Sequence, residues 1–393
     1  MKLSPSSYLL GSALVRTLSQ FILVSLATVI LGNDQTGQYA LALALTAPIF
    51  VCAGLSLNSI FFTLKYRAEI GDYESALLRS YGLAIGLTVL ALAFTMPQSA
   101  LLILVVALTK VSDGFSDLYA LVFQKNNQHS RILSLAALKA LITVVAAGIA
   151  MALIKDITMA MLLSLVVSGL FTIFVHRVLA HRSAATALGG PTVAVQGGHK
   201  SILKAGLTVG VSDAVISLGI SIPQYVLAYQ FGSDSLVPYI YALYILTALE
   251  LVLNARVLAW LKLTQNHEGS VRTEYLRSVV LVVPLGVAGI IGVGVLAQIL
   301  DFESTFHHPL SWAAIILASF TLPIVFLKNA QLLQRNFYGH TVAVSIFTVV
   351  GLFLLSIVLV PPFGIPGALL AFTLGTIPRL LAQVFLLRRG SSK

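Results

Sequence analysis

Ten charged residues interrupt otherwise apolar stretches: Arg16, Lys110, Asp113, Asp117, Lys139, Asp213, Glu250, Arg256, Lys328 and Arg379. A charge in hydrocarbon costs at least about 2.5–3.5 kcal/mol unless it faces protein or water, so each is a candidate for function. Six are basic and four acidic, a balance suited to a cavity that handles an anion. The carboxylates remain available for ion pairing or for proton or sodium coupling. Lys110, Asp113 and Asp117 recur at i, i+3 and i+7, on one face of a predicted helix. Two readings of that stripe stand: it contacts substrate or ion, or it is a self-neutralising lysine–aspartate pair packed against a neighbouring helix. Arg16 and Asp213 fall on the first helices of two similar halves and predict a bridge between them, unless Arg16 snorkels to an interface. Glu250 lies deep without a local partner and is a further cavity candidate. Arg256, Lys328 and Arg379 have interfacial escapes, and Lys139 has no assigned role.

Other combinations carry little chemistry. Gly292-Val293-Gly294 lies within an apolar run and lacks the strand–turn–helix setting of a dinucleotide site. His307 and His308, with Asp301 and Glu303 nearby, read as a solvated loop rather than a metal site. No Ser–His–Asp, paired-carboxylate or phosphate-loop arrangement is present in a loop that could hold it, so no enzyme, cofactor or metal is expected. Cys52 is the single cysteine, which excludes an intrachain disulfide and a cysteine-based metal cluster.

The elements that position these charges follow from composition. Of 393 residues, 58% are hydrophobic and 10% charged, against about 25% charged in an ordinary soluble domain. Mean hydropathy is +0.95 and is spread along the whole chain, so lipid must solvate most of it. Spanning-length segments are predicted at about 7–31, 38–63, 79–97, 99–124, 131–154 and 158–180, then 201–223, 236–261, 276–299, 309–334, 340–361 and 365–387. This is an all-α polytopic membrane protein of about twelve transmembrane helices. The formal charge of +10 collects in alternate short connections, among them those with Lys65, Arg67, Lys125 and Arg335. That asymmetry predicts both termini in the cytoplasm and removes the case for nucleic acid. Residues 1–182 form one predicted six-helix bundle and 200–393 a second, joined by a Gly- and Pro-containing linker at 183–199.

The halves echo each other. Gly32-Asn33-Asp34 with Tyr39 recurs 200 positions later as Gly232-Ser233-Asp234 with Tyr239. Gln124-Lys125-Asn126 recurs 210 positions later as Gln334-Arg335-Asn336, with His129 and His340 shortly after. Both echoes occupy matching predicted places, so the bundles are parallel repeats related by an axis along the membrane normal, around a central cavity. Asp34, Asp234, Gln124, Lys125, Gln334 and Arg335 are read as structural. Pro48, Pro284, Pro323 and Pro378 are expected to interrupt spans, and Gly82-xxx-Gly86 and Gly206-xxx-Gly210 to allow close helix packing.

The stretch Gly32-Asn33-Asp34-Gln35-Thr36-Gly37-Gln38-Tyr39-Ala40, and the run Asp113-Gly114-Phe115-Ser116-Asp117-Leu118 through Gln124-Lys125, resemble the polysaccharide-biosynthesis transporters. These are the O-antigen and exopolysaccharide flippases of the multidrug/oligosaccharidyl-lipid/polysaccharide (MOP) exporter superfamily. The resemblance implies a V-shaped pair of bundles around a cavity that alternately faces each side of the bacterial inner membrane. It implies undecaprenyl-diphosphate-linked oligosaccharide as cargo, coupling to H+ or Na+, and possible polysaccharide-assembly partners. From it only one expectation passes to single residues: cavity-facing basic groups matter, here Arg16 and Lys110. Three alternatives remain, one of them a non-transporting scaffold that recruits other assembly proteins. A multidrug or cation exporter of the same superfamily would favour a carboxylate on the first helix, where this chain has Arg16. A membrane-embedded oligosaccharide polymerase or ligase would need a larger outer loop than the one near 300–309.

Overall fold

The computed structural model describes residues 5–57, 61, 69–95, 99–187, 198–264, 271–299, 308–334 and 338–389. Among them the structure is helical, with no strand. The helices are α1 (Pro5–Leu31), α2 (Asn33–Ala53), α3 (Ile70–Thr95), α4 (Ala100–Lys125), α5 (His129–Ile154), α6 (Ile157–Phe171), α7 (Val178–Ala187), α8 (Gly198–Phe231), α9 (Leu236–Thr264), α10 (Val271–Ile299), α11 (Pro309–Gln334), α12 (Tyr338–Leu374) and α13 (Thr376–Arg389). A π-helical turn, Thr172–Arg177, joins α6 to α7. At about 1.5 Å per residue, most of these reach across about 30 Å of hydrocarbon. Nine described segments combine that length with sufficient hydropathy, the last two helices counting as one. α4 is also 26 residues long, but Lys110, Asp113, Asp117 and Lys125 dilute its apolar character.

The chain divides into two compact units, Met1–Ser217 and Leu218–Lys393, with the boundary inside α8. In the first unit the packed interior gathers Leu77, Leu118, Phe123 and Ile202 from α3, α4 and α8. In the second, Tyr239, Tyr241 and Leu246 of α9 are fully buried. Large apolar side chains such as Leu83, Leu153 and Val280 point outward. Such an exterior is stable in lipid, where no water must be ordered around it.

The glycine echo is conformational. Gly32 has φ 84° and Gly232 φ 87°, a region that costs a side chain but not glycine. Each N–H donates over 3.1 Å to the carbonyl four residues back, Thr28 or Ala228, and so closes the preceding helix. Asp34 and Asp234 follow in the first turn, where a carboxylate complements the helix dipole. At the other echo, Lys125 lies 5.5 Å from the Phe61 ring centroid. Arg335 and the Gln334 side chain lie outside the described residues, as do Lys65, Arg67, Asp301, Glu303 and His307.

Several boundaries differ from expectation. The second span was expected to run to 63, but α2 ends at Ala53. Leu55 and Ser56 then adopt φ 56° and 43°, which no helix can continue through. The final two spans do part where expected, at a kink at Gly364 with φ 57° and ψ −131°. A further break at Gly375 puts Pro378 in the first turn of α13, where proline removes no helical hydrogen bond. Pro48, Pro284 and Pro323 do lie inside helices.

Candidate functional site

A cavity of about 490 Å³ opens within the first unit. Its wall draws on α1, α2, α3, α4, α5, α6 and the middle of α8, and carries Arg16, Lys110, Lys139, Asp113, Asp117 and Asp213. Five of these six were singled out by residue type and span position. The sixth, Lys139, was noticed as an intramembrane charge without a role. Three cations face three carboxylates, so this cavity is formally neutral, in contrast to the basic excess counted over all spans.

Helix α4 supplies the centre. Lys110, Asp113 and Asp117 share its cavity face, but they do not neutralise one another directly. Asp113 accepts from Lys139 Nζ on α5 at 2.9 Å. Asp117 accepts from Arg16 Nη1 on α1. Lys110 has no ion-pair partner within salt-bridge distance among the described residues, though its charge acts on Asp113. The self-neutralising reading of the stripe therefore gives way to pairing across helices.

Arg16 is not bridged to Asp213. Its partner is Asp117, and Asp213 instead accepts a 2.5 Å hydrogen bond from Ser56 Oγ. The local fold explains this choice. Gly206 and Gly210 let α8 lie against the end of α2, since a Cβ on Gly206 would fall 2.6 Å from Leu55 Cβ and one on Gly210 would fall 2.8 Å from the Cys52 carbonyl oxygen. The left-handed turn at Leu55 and Ser56 then aims the Ser56 hydroxyl at Asp213, three residues beyond Gly210. Strain at two non-glycine residues persists because Leu55 is wholly buried. The Gly206 pair packs as expected. Gly82 and Gly86 do not, with nothing within 4 Å of either Cβ position.

Around Lys139 the polar contacts continue. Its Nζ donates to Ser116 Oγ at 2.7 Å, and Ser116 and Ser112 meet Thr172 Oγ1 at 3.0 and 3.2 Å. Thr172 opens the π-helical turn, whose widened backbone places the buried His176 at the cavity wall, edge-on to Phe171 at 5.0 Å. Periodicity could not find these groups, because a π turn shifts the register by one residue.

Glu74, near the start of α3 and ahead of its apolar stretch, joins three helical segments outside the cavity. It accepts from Arg177 Nε at 3.1 Å, lies 3.0 Å from His181 Nε2 and accepts from Tyr119 Oη at 2.8 Å. Burial pushes its carboxyl up, but the bonds to His181, Tyr119 and Arg177 outweigh this and hold it below the ordinary carboxylate value.

In the second unit, Arg256 pairs with Glu274 of α10 at 2.7 Å. Lys328 donates to Gln331 at 3.0 Å. Glu250 on α9 is not isolated electrostatically, since Arg379 on α13 acts on it. Among the described residues no group of three or more metal-ligating side chains occurs.

No family model matches the chain, and neither does any curated protein. Solved structures match in fold. The MATE multidrug transporter DinF-BH aligns at TM-score 0.65 and 12% identity, over 98% of this chain and 94% of that one. The lipid II flippase MurJ, in an inward closed conformation, aligns at TM-score 0.64 and 14% identity, over 96% and 87%. An outward-facing multidrug resistance MATE family transporter of the MOP superfamily aligns at TM-score 0.59 and 12% identity, over 98% and 94%. The chain therefore has the polytopic all-helical fold of these transporters, along nearly its whole length.

Proposed function

We propose that this chain is a membrane transporter that moves an anionic lipid-linked saccharide, of the undecaprenyl-diphosphate oligosaccharide type, from the inner to the outer leaflet. The observation that carries the reading is Lys110. Two of the three cavity cations, Arg16 and Lys139, are tied to carboxylates, while Lys110 lines the cavity without an ion-pair partner among the described residues. A phosphate oxygen would supply that counter-charge through a charge-assisted hydrogen bond. The cavity volume of about 490 Å³ lies in the range of sites for small polar ligands. A diphosphate and its first sugars would occupy it while the prenyl chain stays in lipid. Movement needs no covalent step, only a lowered barrier for charge and hydrated sugar across hydrocarbon. A proton or sodium gradient would drive it, in a bacterial inner membrane with both termini cytoplasmic. The fold shared with a lipid II flippase supports this reading.

A second reading, export of a cationic compound, rests on Asp213, whose hydrogen-bond partner Ser56 is uncharged. Proteoliposomes separate the two. Flipping of a fluorescent polyprenyl-diphosphate saccharide is expected in wild type, with a loss of at least about tenfold in Lys110→Ala, corresponding to one charge-assisted contact, and retention in Lys110→Arg. Transport of a cationic dye that is lost in Asp213→Asn and untouched in Lys110→Ala would overturn the flippase reading. In cells, deletion should leave the lipid-linked saccharide on the cytoplasmic leaflet.

A further inference from the structure

We propose that the Lys139 ammonium is a covalently held substitute for a monovalent metal cation, seated in a cation site made by Asp113 and Ser116. The first unit would then need no sodium ion to complete it.

The orientation of the hydroxyls carries the argument. Thr172 Oγ1 donates its single hydrogen to the Ser168 carbonyl at 2.8 Å. It can therefore only accept from Ser116, 3.0 Å away, and from Ser112, 3.2 Å away. With its own hydrogen committed to Thr172, Ser116 turns a lone pair toward Lys139 Nζ at 2.7 Å. On the other side stands Asp113 Oδ1 at 2.9 Å. The ammonium thus meets an anionic oxygen and an oxygen whose lone pair is locked toward it. Such an all-oxygen, acceptor-only seat is what hard cations select. Asp113 and Ser116 are one helical turn apart on α4, while Thr172 approaches from the π-helical turn, so two segments of one unit form the seat and α5 supplies its occupant. The Lys139 side chain is 12% exposed and lines the cavity.

A tethered ammonium differs from a free ion in one measurable respect: it cannot be washed out. Removing it should leave a charged vacancy that a small cation fills. The inference does not depend on the cargo, and the test measures no transport. Purified full-length protein is melted in sodium chloride and in choline chloride at equal ionic strength. Lys139→Ala and Lys139→Gln are expected to gain a sodium-specific rise in Tm of several degrees over the wild-type response. That rise should grow with the logarithm of sodium concentration, as binding linkage requires. Lys139→Arg, which keeps the charge, should behave as wild type, and adding Asp113→Asn to Lys139→Gln should abolish the gain. Equal sodium responses in wild type and both single variants would overturn the proposal. If the single variants are recovered only when purified in sodium, that supports it. If they are recovered in neither salt, it fails, because a filled seat should restore the fold.

Discussion

Arg16 on α1 and Asp117 on α4, 101 positions apart in the chain, meet as an ion pair in the wall of the first unit's cavity. Both side chains remain substantially open to that cavity, at 51% and 40% exposure. Water screens a pair of this kind, so its contribution to stability is about 0.2–1 kcal/mol. Its larger effect is on cavity charge. Arg16→Gln and Asp117→Asn should therefore each shift Tm little yet change transport strongly. The exchange Arg16→Asp with Asp117→Arg should recover more activity than either of its single components. The exchange of Arg16 with Asp213 should recover none. Recovery by the latter exchange alone would mean the pair forms differently in the working protein.

The glycines of the two small-residue motifs should separate cleanly. Gly206→Ala and Gly210→Ala push a methyl against Leu55 and the Cys52 carbonyl, and overpacking of this kind costs about 1–3 kcal/mol. Gly82→Ala and Gly86→Ala meet nothing within 4 Å, so they should be neutral or stabilise their helix by up to about 1 kcal/mol. Thermal unfolding in detergent ranks the four. A Gly206→Ala protein as stable as Gly82→Ala would contradict the packing of α8 against the end of α2.

Glu74 gives stability a pH dependence of defined sign. Its carboxyl titrates below the ordinary value of 4.5 in the folded protein. The unfolded chain therefore takes up the proton first as pH falls. Stability from the contacts with Arg177, His181 and Tyr119 is complete above that ordinary value and drains away as pH drops through the folded one. Melting profiles should show wild type losing Tm across this acidic window more steeply than Glu74→Gln. Parallel profiles would show that the cluster carries no linked proton.

Much of the fold was legible because its causes are local. Hydropathy over a window of spanning length depends only on the residues inside it, and lipid as solvent turns each such run into a helix. The break at Gly32 and its echo at Gly232 were readable because only glycine takes φ near 85° without cost. Breaks that depend on tertiary support were not readable. Leu55 and Ser56 are ordinary residues in a left-handed turn held by burial and by Asp213.

From sequence alone came the apolar spanning helices, the Gly32 and Gly232 echo and the identity of the charges in the spans, since an ionisable group in hydrocarbon is conspicuous wherever it packs. The partners were decided by the tertiary structure. A helix apolar on nearly all sides carries no periodic signal of which face turns inward, and pairing depends on its rotation and depth to within a few ångströms. Arg16 could therefore be assigned to a cavity but not to Asp117. Lys139 could be noticed but not placed, until the packing of α4, α5 and the π-helical turn set its ammonium between Asp113 and Ser116.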